Sequence, residues 1–146
     1  KHRVPLVKHR VEKVCGLPKE GHEALSATNR EKLLRRYFGG GGTFEQWQAD
    51  PFLALIVYHQ LVEGFGWDAF KHVFAEYRDL PKEQRPKSDT EKHDQWLTRF
   101  SRHAGKNLGP LFEAWKIPTT PAARDAVKAL PIWLPEPGFP KRYQEK

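Results

Sequence analysis

Apolar side chains are most concentrated in residues 50–79, and their pattern predicts two helices joined by a corner. Asp50 is a good N-cap for the first helix, and Pro51 suits the first helical position, where a backbone N–H has no intrahelical partner. The stretch that follows is apolar almost all round and is interrupted only by His59 and Gln60. Because a helix that is apolar on every side is a buried one, we expect this helix at the centre of the core.

A second helix is predicted after a corner formed by Gly64 and Gly66, residues that reach left-handed backbone angles at little cost. Its apolar positions are spaced as one face of a 3.6-residue helix: Trp67, Phe70, Val73, Phe74 and Tyr77. Pro81 ends the pattern. We expect the Trp67 ring to be buried at the corner, so its truncation to Ala should cost about 3–5 kcal/mol.

Helix starts recur along the rest of the chain. A Ser or Thr followed three residues later by Glu or Gln is a capping box, and three are present: Thr28 with Glu31, Thr43 with Gln46, and Ser88 with Glu91. The third precedes an apolar face at helical spacing: His93, Trp96, Leu97, Phe100 and Ala104. Short helices are also predicted at 107–115 and from Thr120, which Pro121 follows.

These patterns predict an all-α fold, a compact bundle of about five to six helices. Residues 1–27 form an extended basic N-terminal arm or connector, residues 28–135 the helical domain, and residues 136–146 a C-terminal tail. The proline-rich segment 131–140 is predicted to be stiff and extended, with its apolar residues lying against the bundle.

The composition supports one aromatic-rich globular domain. The 146 residues include five Trp, nine Phe and four Tyr, so large rings must fill much of the core. No apolar run is long enough to span a bilayer, and no secretory signal is visible. Because the chain begins with Lys1 rather than Met, we expect it to be part of a longer protein.

The positive charge is concentrated at the N-terminus. Residues 1–36 hold ten Lys or Arg and four Asp or Glu, whereas residues 37–146 hold fifteen and fourteen. A basic arm can bind nucleic acid or anionic glycans, but such a run is more often a solvated surface. We therefore treat nucleic acid as an unlikely partner.

Candidate chemistry is sparse. His22 and Glu23 begin like an H-E-x-x-H zinc helix, but Ser26 stands where the second imidazole is needed. No two of the seven histidines are spaced i, i+4, and the single Cys15 completes no metal site. We expect this chain alone to bind no stoichiometric zinc and to hydrolyse no protein.

Other motifs favour structural interpretations. The four glycines at 39–42 lack the Lys-Ser/Thr pair of a phosphate-binding loop and predict a flexible corner. His59 and His93 lie in apolar patterns and are expected to be hydrogen-bonded core residues, whereas His72 and His103 are predicted at helix surfaces.

The order of motifs over residues 43–135 resembles the C-terminal part of the enhancin-like, mucin-degrading zinc metallopeptidases. The most specific part is the spacing from Tyr-x-Gln-Leu at 58–61 to Phe-Gly-Trp at 65–67. The resemblance rests on these positions: Asp50-Pro51-Phe52-Leu53-Ala54-Leu55, Tyr58-His59-Gln60-Leu61, Phe65-Gly66-Trp67, Phe70, Tyr77-Arg78, Asp94, Phe100-Ser101, Asn107-Leu108, Leu111-Phe112, Trp115, Leu130-Pro131 and Trp133.

The resemblance implies a helical subdomain that supports the catalytic cleft of a zinc metallopeptidase acting on glycoproteins such as mucins. The family carries an H-E-x-x-H helix with a downstream Glu as third ligand, and that helix is missing here. No catalytic, cofactor-binding or metal residue is therefore carried over. The zinc and the upstream catalytic domain are expected in the parent protein, which is expected to be secreted or at the cell surface.

The alternative is a non-catalytic role. Vertebrate channel-associated factors resemble the same family and act as partners of ion channels. A protein-interaction domain of such a relative would account for the same motifs without a peptidase activity.

Overall fold

The computed structural model describes residues 27–145, and their side chains from residue 29 onwards. This part of the chain folds into eight α-helices without a β-strand and is about 69% helical. The helices are α1 Ala27–Gly39, α2 Phe44–Ala49, α3 Pro51–Phe65, α4 Trp67–Asp79, α5 Asp89–Ala104, α6 Gly109–Ala114, α7 Pro121–Val127 and α8 Lys141–Gln144. The all-α prediction is confirmed, and five of these helices have seven residues or more.

Most of the predicted helix starts are present. The Asp50 carboxylate accepts a hydrogen bond from the Phe52 amide at 2.9 Å, and Pro51 opens α3. Thr43 and Gln46 form the complete capping box of α2. The prediction that Thr28 is an N-cap is wrong, because Thr28 lies within α1, which the structure describes from Ala27 onwards.

The caps of α5 and α7 also match the sequence pattern. The Ser88 hydroxyl accepts from the Glu91 amide at 3.1 Å, while the Glu91 carboxylate accepts from the Lys87 amide at 2.6 Å rather than from the cap itself. The Thr120 hydroxyl accepts from the Ala123 amide at 3.3 Å. These short-range bonds fix where each helix begins.

The amides of the glycine run donate hydrogen bonds to carbonyls in the last turn of α1 and so end this helix. The Gly42 amide donates to the Tyr37 carbonyl at 2.8 Å and the Gly41 amide to the Phe38 carbonyl at 3.4 Å. Gly41 has a φ of 68°, as the residue after a helix end does in a Schellman motif. The Gly40 amide is bonded to Arg36, so these three amides serve the helix end and not an anion.

The core is centred on α3, as predicted. Six buried residues lie on α3, more than on any other helix. The largest fully buried side chains come from α1, α3, α5 and the segment around α6: Leu34, Ile56, Leu61, Leu97, Phe100, Leu108, Leu111, Phe112 and Trp115. Two predictions for α4 are wrong. Trp67 is only partly buried, and Phe74 is 54% exposed, because the contact face of α4 is centred on Phe70 and Val73.

The C-terminal segment closes the other side of the bundle. Phe139 and Tyr143 are buried members of the core, and the Trp133 ring lies 4.6 Å from that of Phe65. Asn107 pairs with Ile132 in a single parallel bridge. The expected contact between the proline-rich segment and the bundle is therefore present. No helix within residues 27–145 is long and apolar enough to cross a membrane.

Candidate functional site: an aromatic cleft

A cleft of about 330 Å³ opens between α2, α3, α4 and α5. Each of these helices contributes at least one aromatic side chain to the wall. The residues lining the cleft are Trp47, Val57, Tyr58, Tyr77, Pro86, Lys92, His93, Trp96, Phe112 and Ile117. Ligand sites in proteins are commonly concave, mostly apolar and of this size, with a few polar groups that orient the ligand.

The aromatic walls are held by ring contacts across the helices. Trp96 of α5 stands edge-on to Tyr58 of α3 at 5.8 Å and stacks with Tyr77 of α4 at 6.4 Å. On the other side, Phe44 stacks with Trp47 at 5.9 Å and meets the His93 ring edge-on at 5.4 Å. These pairings fix ring orientations, so the shape of the cleft is preformed.

Two buried polar atoms belong to residues of the cleft wall. Trp47 Nε1 and His93 Nδ1 have no hydrogen-bond partner within the described part of the chain. Leaving such a group unpaired costs about 1–3 kcal/mol.

Among the residues that the structure describes, Lys92 is the one formally charged residue of the cleft wall, and none of them contributes a carboxylate to it. Its side chain is 62% exposed, and Nζ lies 3.5 Å from Asp89 Oδ1, the distance of a weak surface ion pair.

The aromatic surface continues outside the cleft. Tyr58 is 42% exposed and Phe74 is 54% exposed, although both rings contact the buried Phe70 at 6.1 and 6.0 Å. Large exposed rings next to a preformed cleft are typical of interaction surfaces.

Burial raises the pKa of Tyr77, a residue of the cleft wall, and the guanidinium of Arg99, 5.2 Å from the centre of the Tyr77 ring, opposes this shift.

The four described histidines divide into three situations. His59 was expected in the core but is exposed, next to Glu63 at 4.0 Å, because α3 turns this position to solvent. His93 is partly buried, but its Nδ1 lacks the expected hydrogen bond. His72 and His103 are at the surface as predicted, and their rings stack at 5.6 Å.

No three His, Cys, Asp or Glu side chains come together within residues 27–145 in a way that could hold a metal ion. His22, Glu23, Ser26 and Cys15 lie outside the described residues, as does the basic arm. The predictions made for them stay predictions.

A comparison with known families identifies the chain. The family described as "Peptidase M60, enhancin and enhancin-like" matches residues 6–116, more than two thirds of the sequence. The chain belongs to this family. The match begins well before residue 43, where the sequence resemblance was placed, so the basic arm is part of the family unit.

Curated relatives of this enhancin-like protein are channel-associated factors. The chain is 39% identical over 127 residues to the human TRPM8 channel-associated factor 2, and this alignment covers 86% of the chain and 13% of the relative. It is 35% identical over 127 residues to a Xenopus laevis homolog, covering 86% and 14%. It is 36% identical over 133 residues to the mouse TRPM8 channel-associated factor 3, covering 90% and 14%.

The chain thus spans about 13–14% of the length of these relatives. No solved structure matches it. The region matched to the family includes every wall residue of the aromatic cleft except Ile117. Four of these residues are large aromatic side chains on four helices, namely Trp47, Tyr58, Tyr77 and Trp96.

Several motif residues of this enhancin-like domain have structural partners. Gln60 is buried, and its Oε1 accepts from Trp115 Nε1 at 3.0 Å. Asp94 accepts from both the amide and the hydroxyl of Thr120, at 2.9 and 2.7 Å. These bonds connect α3 to the end of α6, and α5 to the cap of α7. The sequence marked Gln60 and Asp94 as part of a motif but did not indicate their partners.

Proposed function

We propose that this chain is a non-catalytic, helical interaction module of an enhancin-like protein related to the TRPM8 channel-associated factors. In this role its folded body provides part of the surface by which the parent protein binds a channel complex. The chain positions a partner and performs no bond chemistry of its own.

The observation that carries this proposal is the similarity to the channel-associated factors. Identities of 35–39% over 127 residues extend through most of the chain, and each of these relatives bears a channel-associated name. The preformed aromatic cleft and the exposed Tyr58 and Phe74 rings provide a suitable contact surface. Interface hot spots are enriched in such large, rigid rings.

Co-purification tests the proposal. The tagged chain is co-expressed with a TRPM8 channel in a cell line that lacks the full-length factors, and the channel retained on the tag is quantified. We expect retention well above that of a tag-only control. A Phe100→Asp variant, which places a carboxylate at a fully buried position, serves as a misfolded comparison and should retain none. Equal retention by the chain and the tag alone would refute the proposal.

A second candidate follows from the family match itself. The matched family is a peptidase family. In this candidate the chain belongs with an upstream zinc-dependent catalytic unit that acts on glycoproteins such as mucins. In that case the helical bundle supports the catalytic cleft and carries no zinc ligand. Zinc content and chelator-sensitive mucin cleavage of the full-length parent distinguish this candidate from the interaction module.

A further inference from the structure

We propose that Ser88 is a phosphorylation site, modified by a protein kinase that recognises basic residues on the N-terminal side of its target serine. The inference goes beyond the proposed function, because it does not depend on which protein the module binds. It rests on the exposure and backbone conformation of the segment before α5, and on the basic side chains that this segment presents.

Ser88 lies at the end of the linker that joins α4 to α5. Every residue from 81 to 88 is exposed except Pro86, which is partly buried. After a short 3-10 turn at Lys82–Gln84 the backbone is extended, with φ −69° and ψ 141° at Arg85 and φ −133° and ψ 164° at Ser88. An exposed segment that is already extended can enter the substrate groove of a kinase with little rearrangement.

Basic side chains stand just before the serine. Arg85 precedes Ser88 by three residues and Lys87 by one, and both are exposed. Within residues 27–145 neither side chain has a partner, so both charges are available to the acidic groups of a kinase. Of the nine serines and threonines in the sequence, Ser88 alone has an Arg three positions before it.

The acidic residues that follow Ser88 are less available for recognition. Asp89 and Glu91 belong to the first turn of α5. The Glu91 amide donates to Ser88 Oγ at 3.1 Å, and the Glu91 carboxylate accepts from the Lys87 amide at 2.6 Å. A kinase that reads acidic residues on the C-terminal side would have to unwind this turn, whereas Arg85 and Lys87 precede the helix. The geometry therefore favours a kinase that reads basic residues.

The chemical step is a phosphoryl transfer from ATP. Ser88 Oγ attacks the γ-phosphorus, and the bond from that phosphorus to the β,γ-bridging oxygen breaks. ADP leaves, and the hydroxyl proton passes to the catalytic aspartate of the kinase. Before this step Ser88 must release the Glu91 amide, which is a single bond at a helix end, where fraying is common.

Phosphorylation reverses the charge of this segment. Residues 82–92 hold four basic and three acidic side chains, so they carry a small positive charge. A phosphoserine adds a charge of about −1.5 to −2 at pH 7 and makes the segment negative. Because Pro86 and Lys92 of the same segment line the aromatic cleft, the modification changes the electrostatic surroundings of the cleft.

In vitro phosphorylation of the purified, folded chain tests the proposal. The chain and a synthetic peptide of residues 82–92 are each incubated with the catalytic subunit of cAMP-dependent protein kinase and Mg-ATP, and the modified residue is located by mass spectrometry. We expect close to one phosphate per chain, on Ser88, at a rate within about tenfold of that of the peptide. If the peptide is modified and the folded chain is not, the fold hides Ser88 and the proposal is wrong. No phosphate on Ser88 in either substrate would overturn it as well.

Charge variants test the recognition. Arg85→Gln removes an exposed charge without a partner in the described residues, so the fold should stay intact. It should lower kcat/KM for Ser88 by about tenfold or more. Lys128→Gln, exposed and outside both the cleft wall and this segment, is the matched control and should be modified like the wild type. An Arg85→Gln chain modified as fast as this control would refute recognition through the basic residues.

A second kinase tests the class assigned to the site. Casein kinase II, which reads acidic residues after the serine, is applied to the folded chain under the same conditions. We expect it to modify Ser88 more slowly than the cAMP-dependent kinase, because its recognition residues are held in α5. A faster rate with casein kinase II would contradict the proposed kinase class.

Discussion

The pair formed by Gln60 and Trp115 shows how single residues determine the core. Gln60 is 2% exposed within the most apolar helix, and its only function visible in the described residues is to accept from the fully buried Trp115 indole. A buried indole N–H without an acceptor carries a desolvation cost, so the amide at position 60 and the ring at position 115 depend on each other.

Gln60→Leu should therefore destabilise the protein by about 1–3 kcal/mol, although Leu is more apolar and of similar size. The effect is measured as a shift of the urea midpoint at constant slope. Trp115→Phe in the Gln60→Leu background removes the orphaned donor, so the two changes should be strongly non-additive. Additive costs would show that the hydrogen bond has no role in stability.

His59 predicts a small dependence of stability on pH. Partial burial lowers the pKa of its imidazole, the Arg30 guanidinium lowers it further, and Glu63 opposes both. Above about pH 6.5 the imidazole is neutral in both states, whereas on acidification the unfolded chain takes up its proton first. Stability should therefore fall as the pH drops below about 6.5, by a small amount because the side chain is half exposed.

His59→Gln should reduce this fall, as measured by chemical denaturation at about pH 7.5 and pH 5.5. His72→Gln, also at an exposed position of the bundle, is the matched control and should show the same fall in stability as the wild type. The carboxylates titrate in both variants and so cancel in the comparison. An unchanged slope in His59→Gln would show that other groups produce the pH dependence.

At the residue scale, a clear apolar stripe predicted the centre of the buried face of a helix, although Trp67 and Phe74 at the edges of the α4 stripe are not buried. Phe70, Val73, Leu97 and Phe100 lie on amphipathic helices, and all four are buried. In α3 nearly every position is apolar, so the sequence alone could not indicate which side faces solvent. For this reason His59 was wrongly expected in the core, and the burial of Gln60 was not predicted.

At the scale of elements, helix ends were predicted well because they depend on local chemistry. The caps at Thr43, Asp50, Ser88 and Thr120 each bond an amide two or three residues away. The corners at Gly66 and Gly105 also depend on local backbone conformation. Gly66 joins α3 to α4 at φ 77° and ψ 178°, while Gly105 ends α5 at φ 68° and ψ 25°.

These two glycines predict different tolerance to substitution. The angles of Gly105 are left-handed helical, which Asn adopts at low cost, whereas those of Gly66 lie in a region that essentially only glycine occupies. Gly105→Asn should be nearly neutral, and Gly66→Asn should cost about 1–3 kcal/mol. Thermal unfolding of both variants measures this difference. Equal melting temperatures would show that the corner between α3 and α4 is not rigid.

At the scale of the whole molecule, the fold class and the family were predictable but the cleft was not. Helical periodicity and caps predict the bundle without knowledge of any long-range contact. The cleft needs Trp47, Tyr58, Tyr77 and His93 to meet from four helices, and no local pattern indicates which aromatic rings converge. The only sequence feature that pointed towards an aromatic cleft was the high number of Trp, Phe and Tyr residues.

The domain-level account also predicts how the chain relates to its parent. The relatives are about seven times longer than the part aligned here, so in them the corresponding segment lies within a large protein. If the interaction surface is contained in this chain, the isolated chain should compete with a full-length relative for the same partner.

Competition for the channel is the most direct test of this claim. Human TRPM8 channel-associated factor 2 is bound to immobilised TRPM8, and purified chain is added in increasing excess while the released factor is measured. The account predicts progressive release by the wild-type chain, with weaker release by Lys92→Gln and unchanged release by Lys128→Gln. If a large excess of the folded chain releases none of the bound factor, the chain is not the interaction module proposed here.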